Sequence, residues 1–232
     1  MRLLLIDTCG SEGGVVLADT ELGQAIIATE VLPGRTSSER LVPAVRRVMK
    51  SAGWRLRELS AIAVVHGPGS FTGVRVGLSA AKGLSEAGGV PLIAVSRLAL
   101  LAASAGEGTA TVHAVLDAGR GEFYYGEYLG HRCVREALLT GEEVAIAAAG
   151  GMVVVCEMKV VEDLAALHPR LVEEPSAGDA LPFTLERIAV GGFDDAATLD
   201  ANYLRRTDAE IFAKAKPVQA KAARAKGKIT VE

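Results

Sequence analysis

The sequence predicts an α/β protein of two related lobes, on three observations. Short continuous apolar runs alternate with amphipathic stretches, a strand, helix, strand crossover occupies residues 61–95, and the plan of residues 2–19 returns after Thr111. With 232 residues, half of them apolar, the chain is long enough for one large domain or for two small lobes, each with a core of its own. Aromatics make up only 4% of it, so the core must rest on aliphatic side chains and close backbone packing.

Taken in order, residues 2–6 read as a buried strand, 7–13 as a Gly/Ser turn, 14–17 as a second strand and 25–31 as a third. Thr36 followed by Glu39 has capping-box spacing. Leu41, Val42, Val45, Val48 and Met49 then recur at helical intervals until Gly53, with Pro43 expected to kink the helix. Residues 61–65 form a short apolar strand, 66–71 a Gly/Pro loop, 72–86 a helix of small residues and 92–95 a strand. Parallel sheets need such a crossover and bury both faces of their strands.

From Thr111, VHAVLDAGRGEFYYGEY repeats the plan of RLLLIDTCGSEGGVVLAD: apolar strand, Asp, Gly-containing turn, apolar strand. Asp7 and Asp117 occupy matching places, which suggests a duplicated domain, with chance likeness of two hairpins as the alternative. Residues 152–156 read as a strand and 180–190 as a helix, while 142–179 has no clear period. The expected division is a first lobe over 1–105, a second over 106–210 and a basic flexible tail over 211–232.

Cys9, Cys133 and Cys156 are far apart and lack any CxxC spacing, so neither a disulfide framework nor a zinc knuckle is indicated, and a reducing cytoplasm fits best. MRLLLIDT is too brief an apolar run for a signal sequence and no later run reaches the length of a membrane span. Net charge is −3, yet six Lys/Arg against one acid follow Ile211. The body is therefore acidic, which disfavours an independent grip on a phosphate backbone.

Residues 66–77, HGPGSFTGVRVG, lie between a strand and a helix. Glycines there permit unusual backbone angles and close approach, and N–H groups at a helix start can cradle an anion. No GK[ST] follows and the spacing is not that of a dinucleotide fingerprint, so a tight packing turn is an equal reading.

As a whole string this segment resembles the TsaB (YeaZ) family, relatives of the metal-dependent TsaD subunit once classed as glycoproteases. LLIDT at the start, SSERLVP at residues 37–43, LDAGRGEFYYGEY at 116–128 and NYLR at 202–205 match as well. The resemblance implies an ASKHA (actin/hexokinase-like) duplicated fold. In catalytic members of that fold, carboxylates placed like Asp7 and Asp117 position a magnesium nucleotide. Asp7, Thr8, Gly69, Thr72 and Asp117 are thus a candidate vestigial nucleotide site, with turn capping by the two aspartates the alternative.

TsaD carries two histidines one helical turn apart where this chain has Arg97 and Leu101. A guanidinium and an aliphatic side chain cannot replace two neutral nitrogen ligands. His66, His113, His131 and His168 have no HxxxH spacing, and Ser70 has no base partner in sequence, so no metal site and no catalytic residue are expected. The resemblance implies a non-catalytic, cytoplasmic scaffold. It would bind and activate TsaD as a heterodimer, together with the ATPase TsaE, for threonylcarbamoyl transfer to N6 of the adenosine beside the anticodon, in tRNAs reading codons that begin with A. The chain would need no cofactor of its own; ATP and a metal ion belong to the partner complex, tRNA is met through that complex, and a second copy can pair when TsaD is absent. The expected docking residues are Ser38, Leu41, Val42, Val45, Val48, Met49, Arg75, Leu78 and Lys82. The rival functions are an ASKHA phosphotransferase or ATP hydrolase, a metallopeptidase, and a tRNA-binding module acting through the tail.

Overall fold

The computed structural model describes residues 1–22, 25–106 and 110–204. Strands β1 (Arg2–Asp7), β2 (Gly13–Asp19) and β3 (Ile26–Leu32) form an antiparallel meander. The chain then crosses through helix α1 (Ser37–Ser51) to β4 (Ala61–Val65), and through α2 (Phe71–Gly88) to β5 (Leu92–Val95). Both β4 and β5 join in parallel, giving the order β3-β2-β1-β4-β5. As the continuous apolar runs predict, β1 and β4 are buried on both faces.

Helix α3 (Arg97–Ala103) leads into the second sheet, where the same plan is executed again. Strands β6 (Thr111–Gly119), β7 (Glu122–Leu129) and β8 (Arg132–Thr140) form the meander; α4 (Gly141–Ala147), β9 (Met152–Val155), α5 (Met158–Asp163) and β10 (Arg170–Leu171) follow, in the order β10-β9-β6-β7-β8. The expected duplication is therefore real at the level of topology. Asp7 stands opposite Gly14 at the end of β1, and Asp117 opposite Phe123 in β6.

Three local expectations change. Thr36 forms no capping box: residues Gly34–Thr36 make a 3-10 turn feeding α1, and the Thr36 hydroxyl donates back to the Pro33 carbonyl at 2.7 Å instead. Pro43 sits on the exposed side of α1, and the helix runs on to Ser51. The unplaced stretch 142–179 resolves into short elements, of which α5 has six residues and β10 two.

After β10 the chain returns to the first sheet. A 3-10 turn (Ala177–Ala180) packs on β1, β2 and β4, helix α6 (Leu181–Ala189) packs on β5, and Asp194 pairs with Leu92. The Asn202 N–H donates to the His66 carbonyl at 2.9 Å. One hydrophobic core runs through all of this, taking in Leu4, Ile62 and Leu98 with Ala114, Leu116, Tyr128 and Val154 of the second sheet. Among the described residues no helix is long and apolar enough to cross a membrane. The basic tail lies outside the described residues.

Candidate functional site

The glycine segment packs against the turn between β1 and β2. Ser70 N–H donates to the Cys9 carbonyl at 2.9 Å, the Thr8 hydroxyl to the Gly73 carbonyl at 2.6 Å, and the Cys9 thiol to the Val65 carbonyl at 3.1 Å. A Cβ on Gly69 would collide with the Cys9 carbonyl, and one on Gly73 or Gly77 with Thr8. At these three positions glycine is needed for close approach. Ser70 caps α2 by accepting from the Gly73 N–H at 3.3 Å. Of the two readings of this loop, the packing turn accounts for the contacts.

Beside that turn lies an ionic cluster joining both halves of the chain, with Arg97 and Asp7 buried and Glu174 at the surface. Arg97, only 4% exposed, opens α3 and donates through Nη2 to the Glu174 carboxylate. Glu174 also accepts from the Ser11 N–H at 2.8 Å and from the Ser11 hydroxyl. Asp7, 2% exposed, accepts from the Cys9 N–H at 2.8 Å. Burial pushes the Asp7 carboxyl above its ordinary value, against the opposing pull of the Cys9 N–H and the Arg97 charge. Burial likewise works against the Arg97 charge, but Asp7, Cys156 and Glu174 outweigh it and hold the guanidinium protonated. The Arg97 Nε is buried without a partner among the described residues.

The second lobe mirrors this arrangement with different chemistry. Asp117 accepts from the Gly119 N–H at 2.8 Å and pairs with Lys159 at 2.7 Å, while its own N–H donates to Glu157 at 2.8 Å. Burial raises Glu157 above the usual carboxylate range. Each lobe thus sets a cation of its own near its first-strand aspartate.

The residues present do not fit a magnesium nucleotide. Arg97 faces Asp7 and Glu174 where a magnesium ion would need free carboxylate oxygens, and Lys159 occupies Asp117. The cavities that reach this region hold about 190 Å³, beside Asp7 and Glu174, and about 200 Å³, beside Thr8 and Thr72. Ligand clefts run from about 300 Å³ upward. Thr8 and Asp7 are buried, Gly69 is packed on Cys9, and Thr72 stands exposed at the start of α2, so the five candidate residues do not converge on one open site. Cys9 is not poised as a nucleophile, since burial and Asp7 push its thiol well above its ordinary range.

The histidines serve elsewhere. His113 is buried against the Tyr125 hydroxyl at 2.7 Å, His131 pairs with Glu186 at 2.6 Å, His66 reaches the Asp200 carbonyl at 3.2 Å, and His168 turns the chain with φ of 48°. Leu101, which the resemblance sets against the second TsaD histidine, is completely buried in the core.

The expected docking helices need correction at five positions. Leu41, Val45, Val48, Met49 and Leu78 are all under 9% exposed, because the apolar stripes of α1 and α2 cover the chain's own sheet. They offer a partner no surface. Of the expected residues Ser38, Val42 and Arg75 are exposed and Lys82 partly so. Sequence reasoning missed two neighbours. Phe71 and Tyr203 are both exposed, and Arg75 stacks its guanidinium 3.5 Å from the Phe71 ring centre while its Nε donates to the Tyr203 hydroxyl at 2.6 Å. Phe71 lay within the glycine motif, where a large exposed ring at a helix start was the available signal. Glu174 and Glu157 gave none.

Known proteins bear on the fold and the family. The family model described as "TsaD: tRNA N6-adenosine threonylcarbamoyltransferase" matches residues 26–177. The tRNA threonylcarbamoyladenosine biosynthesis protein TsaB of Escherichia coli is 38% identical over 130 residues, 55% of this chain and 55% of that protein. Its Bacillus subtilis namesake is 33% identical over 149 residues, 63% of each. The matches thus span roughly half to three fifths of these curated relatives. The solved structure of YeaZ from Pseudomonas aeruginosa superposes with a TM-score of 0.73 at 34% identity, covering 88% of this chain and 99% of that one. Two five-stranded sheets of one topology, that end-to-end match and the family model together establish the ASKHA-type duplicated fold and show that the chain belongs to the TsaB (YeaZ) family, within the wider family that the TsaD model describes.

Proposed function

We propose that this chain is a non-catalytic subunit of tRNA threonylcarbamoyladenosine biosynthesis that works by docking and activating a TsaD partner. The observation that carries the reading is Arg97. The resemblance sets it against a metal-binding imidazole of TsaD, and here it is buried and ion-paired to Glu174. Leu101 is sealed in the core, so α3 presents neither of two metal-binding side chains at these positions. The docking face is the exposed side of α1 and α2: Ser38, Val42, Arg75 and Lys82, extended by Phe71 and Tyr203. Exposed aromatic and Arg side chains are the usual anchors of such interfaces. TsaE and tRNA join through the complex.

Reconstitution with purified TsaD and TsaE tests this. Omitting the chain abolishes threonylcarbamoyl transfer to tRNA, and the double change Val42→Glu with Arg75→Glu lowers co-purification with TsaD at least tenfold. Transfer by this chain without TsaD would overturn the non-catalytic role. Undiminished co-purification of the double variant would overturn the docking face.

A further inference from the structure

Charge is sharply divided along this chain. Residues 39–58 hold six Lys/Arg against two acids, whereas residues 111–200 hold six against sixteen. Four of the first six cations, Arg40, Arg46, Arg47 and Lys50, stand exposed on α1. Arg47 donates from Nε to Glu30 of β3 at 3.1 Å. No ion pair reaches Arg40, Arg46 or Lys50 among the described residues. Helix energetics do not account for this row. Arg46 and Lys50 are four residues apart, and a like-charge pair at that spacing weakens a helix. Arg40 lies in the first turn, where the helix dipole repels a cation; only Lys50, in the last turn, is favoured by it. Arg46, Arg47 and Lys50 line a surface depression of about 420 Å³ together with Val42 and Pro43. A row of unneutralised cations beside an open depression calls for a polyanion.

We propose that this face of α1 lies against the phosphate backbone of the tRNA once the chain is assembled with TsaD, a role that rests on the function proposed above. The chemistry favours phosphates over a protein's carboxylates. Protein interfaces centre on aromatic and apolar anchors and are depleted of charge at their core, whereas this row has only Val42 and Pro43 among its cations. Three of the four cations are arginines, whose planar forks match phosphate oxygens. From Arg40 to Lys50 the helix rises about 15 Å, enough to lie along several successive phosphates. The row also borders Val42 of the proposed docking face, so a tRNA held by the partner can meet it. The acidic residues 111–200 keep the isolated chain's grip on nucleic acid weak, and the contact therefore counts inside the complex.

The full chain assembled with purified TsaD and TsaE supplies the test, with tRNA affinity measured from about 50 to about 200 mM salt. Each phosphate contact adds close to one unit to the slope of log K against log salt. The triple change Arg40→Gln, Arg46→Gln and Lys50→Gln keeps good helix formers on α1. It should shrink that slope by about two to three and weaken tRNA binding at least tenfold at the lowest salt, while co-purification with TsaD and the melting temperature stay as they were. Arg132→Gln, at an exposed cation of β8, should leave the slope unchanged. An assembled complex whose slope the triple change does not alter would overturn this proposal alone. So would an equal loss per charge at Arg132, which would reduce the effect to net charge, or a triple variant that no longer co-purifies with TsaD, which would assign the row to a protein interface. Failure of the unaltered chain to assemble with TsaD would overturn the functional reading itself, and this proposal with it.

Discussion

At the scale of single residues, Arg97 decides the chemistry. A guanidinium cannot be deprotonated in a protein, so its burial is tolerable only while its carboxylate partners stay in place. Glu174 binds it directly, and the Asp7 charge favours it as well. Arg97→Ala should therefore destabilise the fold by about 2 kcal/mol, through the lost packing of a buried side chain and the buried Asp7 left without a positive charge near it, while the exposed Glu174 is resolvated. Urea unfolding of the variant measures it. A loss under about 1 kcal/mol would show that solvent reaches the cluster and that the pair belongs with weak surface bridges.

At the scale of elements, α2 is held by what its glycines lack. A methyl group on Gly73 would meet the Thr8 carbonyl, whereas one on Gly83, on the exposed side of the same helix, meets nothing within 4 Å. Gly73→Ala should cost about 2 kcal/mol or more through overpacking, and Gly83→Ala should gain about 0.5–1 kcal/mol through helix propensity. Thermal melts of the two variants should move in opposite directions, and a shared direction would contradict the assigned contacts. Elements with long runs, such as β1, β4, α1 and α2, declare themselves by period, and the Asp7/Asp117 equivalence announces the duplication. β8 does not: as an edge strand its first four residues are all exposed, so no alternation appears. α5 and β10 are shorter than any period can register. The apolar stripes of α1 and α2 were visible, but a stripe does not say whether it faces the chain's own sheet or a partner. Nor does sequence show that Ser11 will meet Glu174, 163 residues away, because that contact exists only once the chain folds back after β10.

At the scale of the whole molecule, two sheets of identical topology share one core instead of forming separable bodies. Ala114, Leu116 and Tyr128 of the second sheet lie in the same cluster as Leu4 and Ile62 of the first, and residues 177–204 return across the divide. Only a smaller cluster around Val115, Tyr125 and Val155 belongs to the second sheet by itself. Calorimetry should accordingly show one unfolding transition with matching calorimetric and van't Hoff enthalpies. Two resolved transitions would mean that the lobes fold independently.

The buried cation also fixes what can be changed next. To carry two imidazoles at these places on α3, the chain would have to replace both Arg97 and Leu101. Loss of Arg97 alone leaves the buried Asp7 without its countercharge, and a histidine in place of Leu101 alone puts a polar ring into a fully packed core. Neither first step is neutral. A covalently attached charge beside a packed leucine therefore acts as a ratchet, penalising each single step toward a metal-binding pair on α3.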